Sequence, residues 1–210
     1  MLDTAHRFCT LSEALGSEQS AWSKDRTLNY RAILAAMGAS GPADQLAQAI
    51  VRTASELKET RFFTLSAISG PVRLGLSAGL LQSGDTAASF LQAFEAAQHE
   101  FRQVGLRRAK AYEAVTVLVH RSLRDRAPVT SEDAMRLKGI YEALKTHHWW
   151  LTGPEDLPAC ALLASRDGSP AQLGDETEAI YQALRESGHF GGETLQTAAM
   201  FLVLCHTSPA

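Results

Sequence analysis

Residues that favour helices dominate this chain of 210 residues. Alanine occurs 33 times and leucine 27 times, whereas valine occurs 8 times and isoleucine 5 times. Alanine and leucine are strong helix formers, while β-branched residues are enriched in strands. No long segment alternates apolar and polar residues, which is the pattern of a half-buried strand. The composition therefore predicts an all-α protein.

Apolar residues recur at helical spacing, and residues typical of helix ends separate the repeats. Leu137, Ile140, Tyr141 and Leu144 follow the i, i+3, i+4, i+7 spacing of one helix face. The other periodic segments, taken with these, predict about ten helices, near residues 4–16, 27–38, 42–58, 71–82, 86–104, 108–122, 131–147, 156–165, 175–187 and 192–206.

Four short segments predict where helices start and stop. Ser40-Gly41-Pro42 predicts a helix with proline at its first position. Thr130-Ser131-Glu132-Asp133 predicts an N-cap with acidic residues in the first turn. Gly84-Asp85 and Gly174-Asp175 each indicate the end of one helix and the start of another.

Two halves of the chain carry a similar order of features. Residues 57–81, 84–97 and 114–122 can be aligned with residues 144–165, 174–187 and 199–208, with small gaps. The alignment predicts two tandem, weakly similar helical modules, stacked as in helical-repeat or bundle-like proteins. We place an N-terminal helical arm at residues 1–24 and the modules at 25–124 and 125–210, packed as one compact unit.

Charge and cysteine content narrow the possible partners and compartment. A polyanion such as nucleic acid binds to a basic surface, and the formal net charge of this chain is -3. We therefore predict no nucleic-acid partner. Cys9, Cys160 and Cys205 are an odd number of widely spaced cysteines, which is typical of reduced thiols in the cytoplasm. We predict neither a signal peptide nor a segment that crosses or binds a membrane.

The segment KTHHWWLTGPEDLP, residues 145–158, concentrates the residues that chemistry would use. We interpret it as a structural junction, in which His148 closes one helix near its negative dipole end. Thr152 then caps the next helix through its hydroxyl, Pro154 lies in the first turn, and Glu155 completes a capping box. Phe62 and Phe63 stand at the equivalent place in the first module, without histidines, which favours a packing role.

A functional interpretation of the same segment remains open. As an enzyme, the protein would use His148, Asp156 and Glu155 for acid–base chemistry. As a metal protein, it would use His148, Asp156 and His206, because the adjacent His147 and His148 point in different directions on a helix and cannot easily share one ion.

We expect binding, if any, to involve Trp149, Trp150, Gly192 and Gln196. Adjacent residues at a helix end face different directions, so at least one of the two tryptophans should pack into the core between the modules. Gly192 opens a helix, where free backbone N–H groups suit an anion, but we favour a tight turn between helices as the reason for the glycines.

Two segments of the second half carry a family resemblance, YEALKTHHWWLTGPEDLPACALLA and IYQALRESGHFGGETLQTAAMFLVL (residues 141–164 and 180–204). The matching positions are His148, Leu151, Thr152, Asp156, Pro158, Leu162, Leu163, Ala164, Gly188, Gly192, Leu195 and Gln196. At these positions the chain resembles an uncharacterised bacterial family, domain of unknown function 4003. Departures are His189 for an aromatic residue, Glu193 for Asn, and Ala199-Met200 for Ser-His. The resemblance covers residues 25–206 and implies a fold but no activity.

These observations lead to two hypotheses for the function. The first is a cytoplasmic helical scaffold without catalytic activity or cofactor, which binds a protein partner or itself. The second is an enzyme or metal-dependent protein with a polar site near His148, Asp156, Gln196 and His206.

Overall fold

The computed structural model describes residues 2–18, 32–59, 68–188 and 191–205, and these residues are predominantly helical. Of the described residues, 76% lie in helices and none in a strand, which confirms the predicted all-α fold. By the distribution of contacts the chain forms two compact units, Met1–Phe94 and Glu95–Ala210. Within the described ranges, no helix is long and apolar enough to cross a membrane.

The first unit contains α1 (Leu2–Glu18), a helical stretch at residues 32–36, α2 (Ala43–Lys58), α3 (Gly70–Gln82) and the start of α4 (Ala87–Gln103). Helix α2 packs against both α1 and α3. The core of the first unit consists mainly of aliphatic side chains, among them Leu11, Leu15, Ile33, Ile50 and Leu74.

The second unit contains the rest of α4, then α5 (Ala111–Leu123), α6 (Ser131–His147), a 3-10 turn (Pro154–Asp156), α7 (Leu157–Leu163), α8 (Pro170–Glu186) and α9 (Glu193–Cys205). The short helix α7 contacts α5, α6 and α9, and α8 packs along α6 and α9. Every residue of α7 except Pro158 and Leu162 is buried, which agrees with its central position.

Helix α6 begins where the sequence predicts. The Thr130 hydroxyl accepts a hydrogen bond from the Asp133 backbone N–H at 3.2 Å, and the Asp133 carboxylate accepts one from the Thr130 N–H at 3.0 Å. This reciprocal pair is a capping box, which satisfies two donors that the first turn would leave unpaired. At α2 the prediction was off by one residue, since Pro42 is the N-cap and Ala43 begins the helix.

Gly84 and Gly174 have different roles, although the sequence suggested the same one. Gly84 has a φ of 65° and lies between α3 and α4, so the predicted helix end is confirmed there. The predicted break at Gly174 is wrong, because α8 begins at Pro170 and runs through it. A Cβ atom at Gly174 would lie 2.8 Å from the Ala143 Cβ, so glycine permits α6 and α8 to approach closely.

The division into modules stays a prediction. It rests on similarity between two parts of the sequence. The distribution of contacts has its boundary between Phe94 and Glu95, and it does not test that similarity. Residues 1–24, 25–124 and 125–210 are therefore still the proposed arm and modules. Phe62 and Phe63, the aromatic pair of the first module, lie outside the described residues.

Candidate functional site

His148 ends α6 and starts the turn that carries both tryptophans. Its backbone N–H donates to the Leu144 carbonyl at 3.1 Å. The His148 carbonyl in turn accepts from the N–H groups of Leu151, at 3.0 Å, and Thr152, at 3.1 Å. The predicted closure of the helix at His148 is confirmed, and the turn of residues 149–151 is fixed at both ends by backbone hydrogen bonds.

The His148 side chain is directed into the second unit, and only 8% of the residue is exposed. Its Nε2 lies 2.7 Å from Glu178 Oε2, a close contact between the imidazole and the carboxylate that lacks the alignment of a hydrogen bond. The ring lies against that of Tyr181, with centroids 4.4 Å apart. Glu178 and Tyr181 are one turn apart on α8, so His148 fastens the end of α6 to α8.

Trp149 and Trp150 both project from the surface, with 73% and 61% of their areas exposed. The rings meet edge to face, with centroids 5.9 Å apart, and Trp150 also meets His148 edge to face at 5.5 Å. The prediction that one tryptophan packs into the core is wrong. The helix ends before both residues, and His148 occupies the inward direction that a tryptophan would have taken.

A second group of polar residues lies buried where the chain enters α7. Asp156 and Gln196 are each 2% exposed and Thr152 is 6% exposed. The Gln196 Nε2 group lies 3.2 Å from Thr152 Oγ1 and 3.4 Å from Asp156 Oδ2 and donates to both. These bonds connect the start of the 3-10 turn to α9.

The start of this helix differs from the predicted cap. The Asp156 carboxylate accepts from the Gly153 N–H at 3.0 Å, so Asp156 rather than Glu155 closes the first turn. The turn has no side-chain cap at its N-cap position, and Thr152 uses its hydroxyl to accept from Gln196 instead. Sequence alone cannot show this, because the competing donor lies on a helix about forty residues further along the chain.

Burial changes the acidity of Asp156. It raises the pKa of this carboxyl to about 6, and the nearby carboxylates of Glu155 and Glu193 act in the same direction. The hydrogen bonds from Gly153 and Gln196 oppose the shift, because they stabilise the charged form. Asp156 is thus a buried acid at a helix junction, linked to a structural amide.

The structure brings only some of the candidate residues together. Asp156 contacts Gln196, whereas His148 contacts Glu178 and Tyr181, and His206 lies outside the described residues. The Gly192 N–H donates to the Tyr181 hydroxyl at 3.1 Å, so this amide is already bonded within the unit. Across the described part of the chain, no group of three or more His, Cys, Asp or Glu side chains is arranged to hold a metal.

Carboxylates line the side of α8 that faces the junction. His147 Nε2 lies 3.1 Å from Asp175 Oδ1, and His148 contacts Glu178 in the next turn. Between Pro170 and Glu186 the helix carries four acidic residues and one basic residue, Arg185. Sequence reasoning alone does not single out Glu178 and Tyr181. Their spacing of three residues on one helix was the available signal, but it does not reveal which element they meet.

Comparison with known proteins gives one match. A family model described as "Protein of unknown function (DUF4003)" matches residues 17–209, which is most of the chain. No curated protein and no solved structure matches the chain.

Proposed function

The chain belongs to the DUF4003 family of proteins of unknown function, and we propose that it is a non-catalytic helical scaffold that binds a partner protein through Trp149 and Trp150. The observation that carries the proposal is the exposure of two adjacent tryptophans on one tight turn. We call these two side chains the tryptophan surface.

Exposed tryptophan is unfavourable unless something covers it. A large aromatic side chain can bury roughly 150–250 Å², and each Å² removed from water contributes about 25 cal/mol. Tryptophan is also enriched among the residues that contribute most to protein–protein binding. Covering the tryptophan surface would therefore provide a binding free energy that the isolated chain does not use.

The tryptophan surface rests on a well-fixed base. The His148 carbonyl accepts hydrogen bonds from the Leu151 and Thr152 N–H groups, which closes the turn. The Trp150 ring meets the His148 ring edge to face, and the His148 ring lies against Tyr181. A side chain that is already ordered loses less conformational entropy on binding. This arrangement suits a docking surface better than two tryptophans on a mobile tail would.

Charge near the tryptophan surface favours a cationic partner. His147 and His148 contact the carboxylates of Asp175 and Glu178, which places acidic side chains beside the two residues that directly precede the tryptophans. Lysine and arginine bind the faces of tryptophan rings, and complementary charge increases the association rate and the specificity. We therefore propose that the occupant is a basic segment of a partner protein that also carries apolar side chains.

The proposal keeps the expected location in the cytoplasm. Cys9, Cys160 and Cys205 are free thiols, which supports a reducing compartment. The enzyme hypothesis has weaker support, because it groups His148 with Asp156 and Gln196, whereas the His148 ring contacts Glu178 and Tyr181.

Binding of two synthetic peptides tests the proposal. One peptide alternates lysine with leucine, its match replaces lysine with glutamate, and both carry a fluorescent label for anisotropy titration. We expect the lysine peptide to bind and the glutamate peptide to bind at least tenfold more weakly. Trp149→Ala combined with Trp150→Ala should weaken binding by tenfold or more. Met135→Ala, which changes another exposed apolar side chain of the same unit, should have little effect.

Other outcomes would contradict the proposal. Equal affinity for both peptides would show that the charge of the partner does not determine binding. Unchanged affinity in the double tryptophan variant would show that the peptide binds at another surface. Sedimentation velocity of the chain alone supplies a further check. A dimer that the double variant abolishes would show that a second copy covers the tryptophan surface, in place of a basic partner.

A further inference from the structure

A small cavity lies between α5, α6 and α7, away from the tryptophan surface. Its volume is about 20 Å³. The walls are mainly apolar, with Phe101, Val129 and Leu137 among them, and one side is polar, formed by His120, Arg124 and Asp133. All of these residues belong to the second unit.

His120 presents one ring nitrogen that has no partner. The ring bonds to the backbone carbonyl of Pro128, and this bond uses Nδ1 because Nε2 is buried with no hydrogen-bond partner among the described residues. Nε2 lies 3.7 Å from Asp133 Oδ2, which is too long for a direct hydrogen bond. A histidine that donates through Nδ1 offers a lone pair on Nε2 when it is neutral.

Asp133 presents a second acceptor to the same space. Its Oδ2 accepts from the Thr130 N–H at 3.0 Å and from the Thr130 hydroxyl at 2.7 Å, which leaves it able to accept further. Its Oδ1 lies 3.8 Å from the Arg124 guanidinium. Two acceptors 3.7 Å apart cannot bond to each other, but one molecule with two donors can bridge them.

We infer that this cavity is a binding site for one water molecule, which donates to His120 Nε2 and Asp133 Oδ2 and accepts from the Arg124 guanidinium. The volume exceeds the roughly 10–15 Å³ that a buried water requires, and three polar groups are within the usual number of partners. Water suits the site better than a metal cation, because Arg124 adds a positive charge beside only two potential ligands.

The protonation states agree with this assignment. Burial lowers the pKa of His120 and outweighs the opposing effects of Asp133 and the Pro128 carbonyl, while Arg124 and Arg121 lower it further. For Asp133, burial acts to raise the pKa, but the hydrogen bonds from Thr130 prevail and the pKa is lowered. A neutral imidazole and an ionised carboxylate are the two acceptors that a bridging water needs.

The connection between α5 and α6 has an unfavourable backbone conformation at two residues. Asp125 and Arg126 follow α5 with φ of 46° and 65°, a region that residues with a side chain rarely adopt. Pro128 lies in the same connection and is bonded to His120. The His120 ring thus joins the α5–α6 connection to the cavity.

Nuclear magnetic resonance of the full chain tests the inference directly. In a two-bond 1H–15N spectrum at pH 7, we expect His120 to carry its proton on Nδ1, with Nε2 unprotonated. In a rotating-frame exchange experiment, we expect a cross-peak between the His120 ring and a long-lived water. His120→Phe should remove that water signal, whereas His99→Phe, at an exposed histidine of α4, should leave it unchanged.

Each contrary result overturns the inference. Protonation on Nε2, or an imidazolium at pH 7, would mean that His120 faces Asp133 directly as a donor. Absence of the long-lived water signal in the wild-type chain would show that the cavity is dry, and this result does not depend on how well any variant folds. A shift of the His120 resonances on adding one equivalent of Zn²⁺ would make the site a metal site.

Discussion

At the scale of single residues, the second unit keeps two titratable side chains in surroundings that change their acidity in opposite ways. Asp156 is a buried acid beside a structural amide, and His120 is a mostly buried base beside a carboxylate and two arginines. Each change in pKa between the folded and unfolded states makes stability depend on pH. The contributions of the two residues to stability can therefore be distinguished by the direction in which each changes with pH.

Asp156 should make the fold more stable in mild acid. Its pKa is about 6 in the folded state against an ordinary value of 3.8, so its contribution is full below about pH 4 and is lost as the pH rises through about 6. The difference of roughly two units corresponds to about 3 kcal/mol. Asp156→Asn keeps the acceptor for the Gly153 N–H and removes the charge. We expect this variant to gain stability relative to wild type between pH 4.5 and 7.5.

Urea unfolding at several pH values measures this difference. Asp175→Asn is the matched control, because the Asp175 side chain is 73% exposed on α8 and should show no such gain. A constant difference between Asp156→Asn and wild type across the range would contradict the assigned environment of Asp156.

His120 should make the fold less stable in mild acid, which is the opposite of the effect of Asp156. Its folded-state pKa is lowered, chiefly by burial, so its contribution is full above its ordinary value of 6.5 and is lost as the pH falls. His120→Gln cannot titrate, and we expect its stability to fall less than that of wild type between pH 7 and 5. His99→Gln, at an exposed position, should follow the wild-type curve in the same urea series. Parallel curves for His120→Gln and wild type would refute the prediction.

Trp149 and Trp150 should contribute little to folding, because both are exposed. Surface substitutions usually change stability by no more than about 0.5 kcal/mol. We expect Trp149→Ala and Trp150→Ala each to cost less than about 1 kcal/mol in urea titration. Phe101→Ala, at a residue that is 2% exposed, should cost about 3–5 kcal/mol. A large cost for either tryptophan would show that its ring packs against the protein in solution.

At the scale of helices, the approach of α6 and α8 depends on a position without a side chain. An alanine Cβ at Gly174 would lie 2.8 Å from the Ala143 Cβ and 3.3 Å from the Ala143 backbone carbonyl carbon. We expect Gly174→Ala to destabilise the protein by about 1–3 kcal/mol, because overpacking forces the helices apart.

Gly75 is the matched control for this prediction. It lies inside α3 with nothing within 4 Å of an added Cβ, so Gly75→Ala should stabilise the protein by about 0.5–1 kcal/mol through a lower backbone entropy cost. Thermal or urea unfolding gives both values. If the two substitutions shifted stability in the same direction, the close crossing would not be the reason for glycine at position 174.

At the scale of the whole molecule, the helical content is the most direct check on the fold. Of the described residues, 76% are helical and none is in a strand. Far-ultraviolet circular dichroism of the full chain should therefore indicate well over about half helix, against a typical content of about one third. A strand content above about 15% would contradict the all-α fold.

Local sequence determined most of the helices and several of their ends. The ratio of alanine and leucine to β-branched residues, the apolar spacing around Leu137 and Ile140, and the capping box at Thr130 all act within a few residues along the chain. Such short-range preferences can be read from sequence, because neighbours in the chain are neighbours in a helix. The family resemblance rests on residues at matching positions along the chain, and it agrees with the match over residues 17–209.

Tertiary contacts decided the features that matter for function. In the sequence, Gly174 indicates a helix break, because only the approach of Ala143 explains a glycine inside α8. The sequence predicts that at least one of Trp149 and Trp150 packs inward, because nothing local indicates that His148 takes the inward place against Glu178 and Tyr181. Asp156 acquired its raised pKa, and Thr152 its role as acceptor, from burial beside Gln196. Each outcome depends on residues brought together by packing, and spacing along a single chain carries no record of which helix will lie opposite.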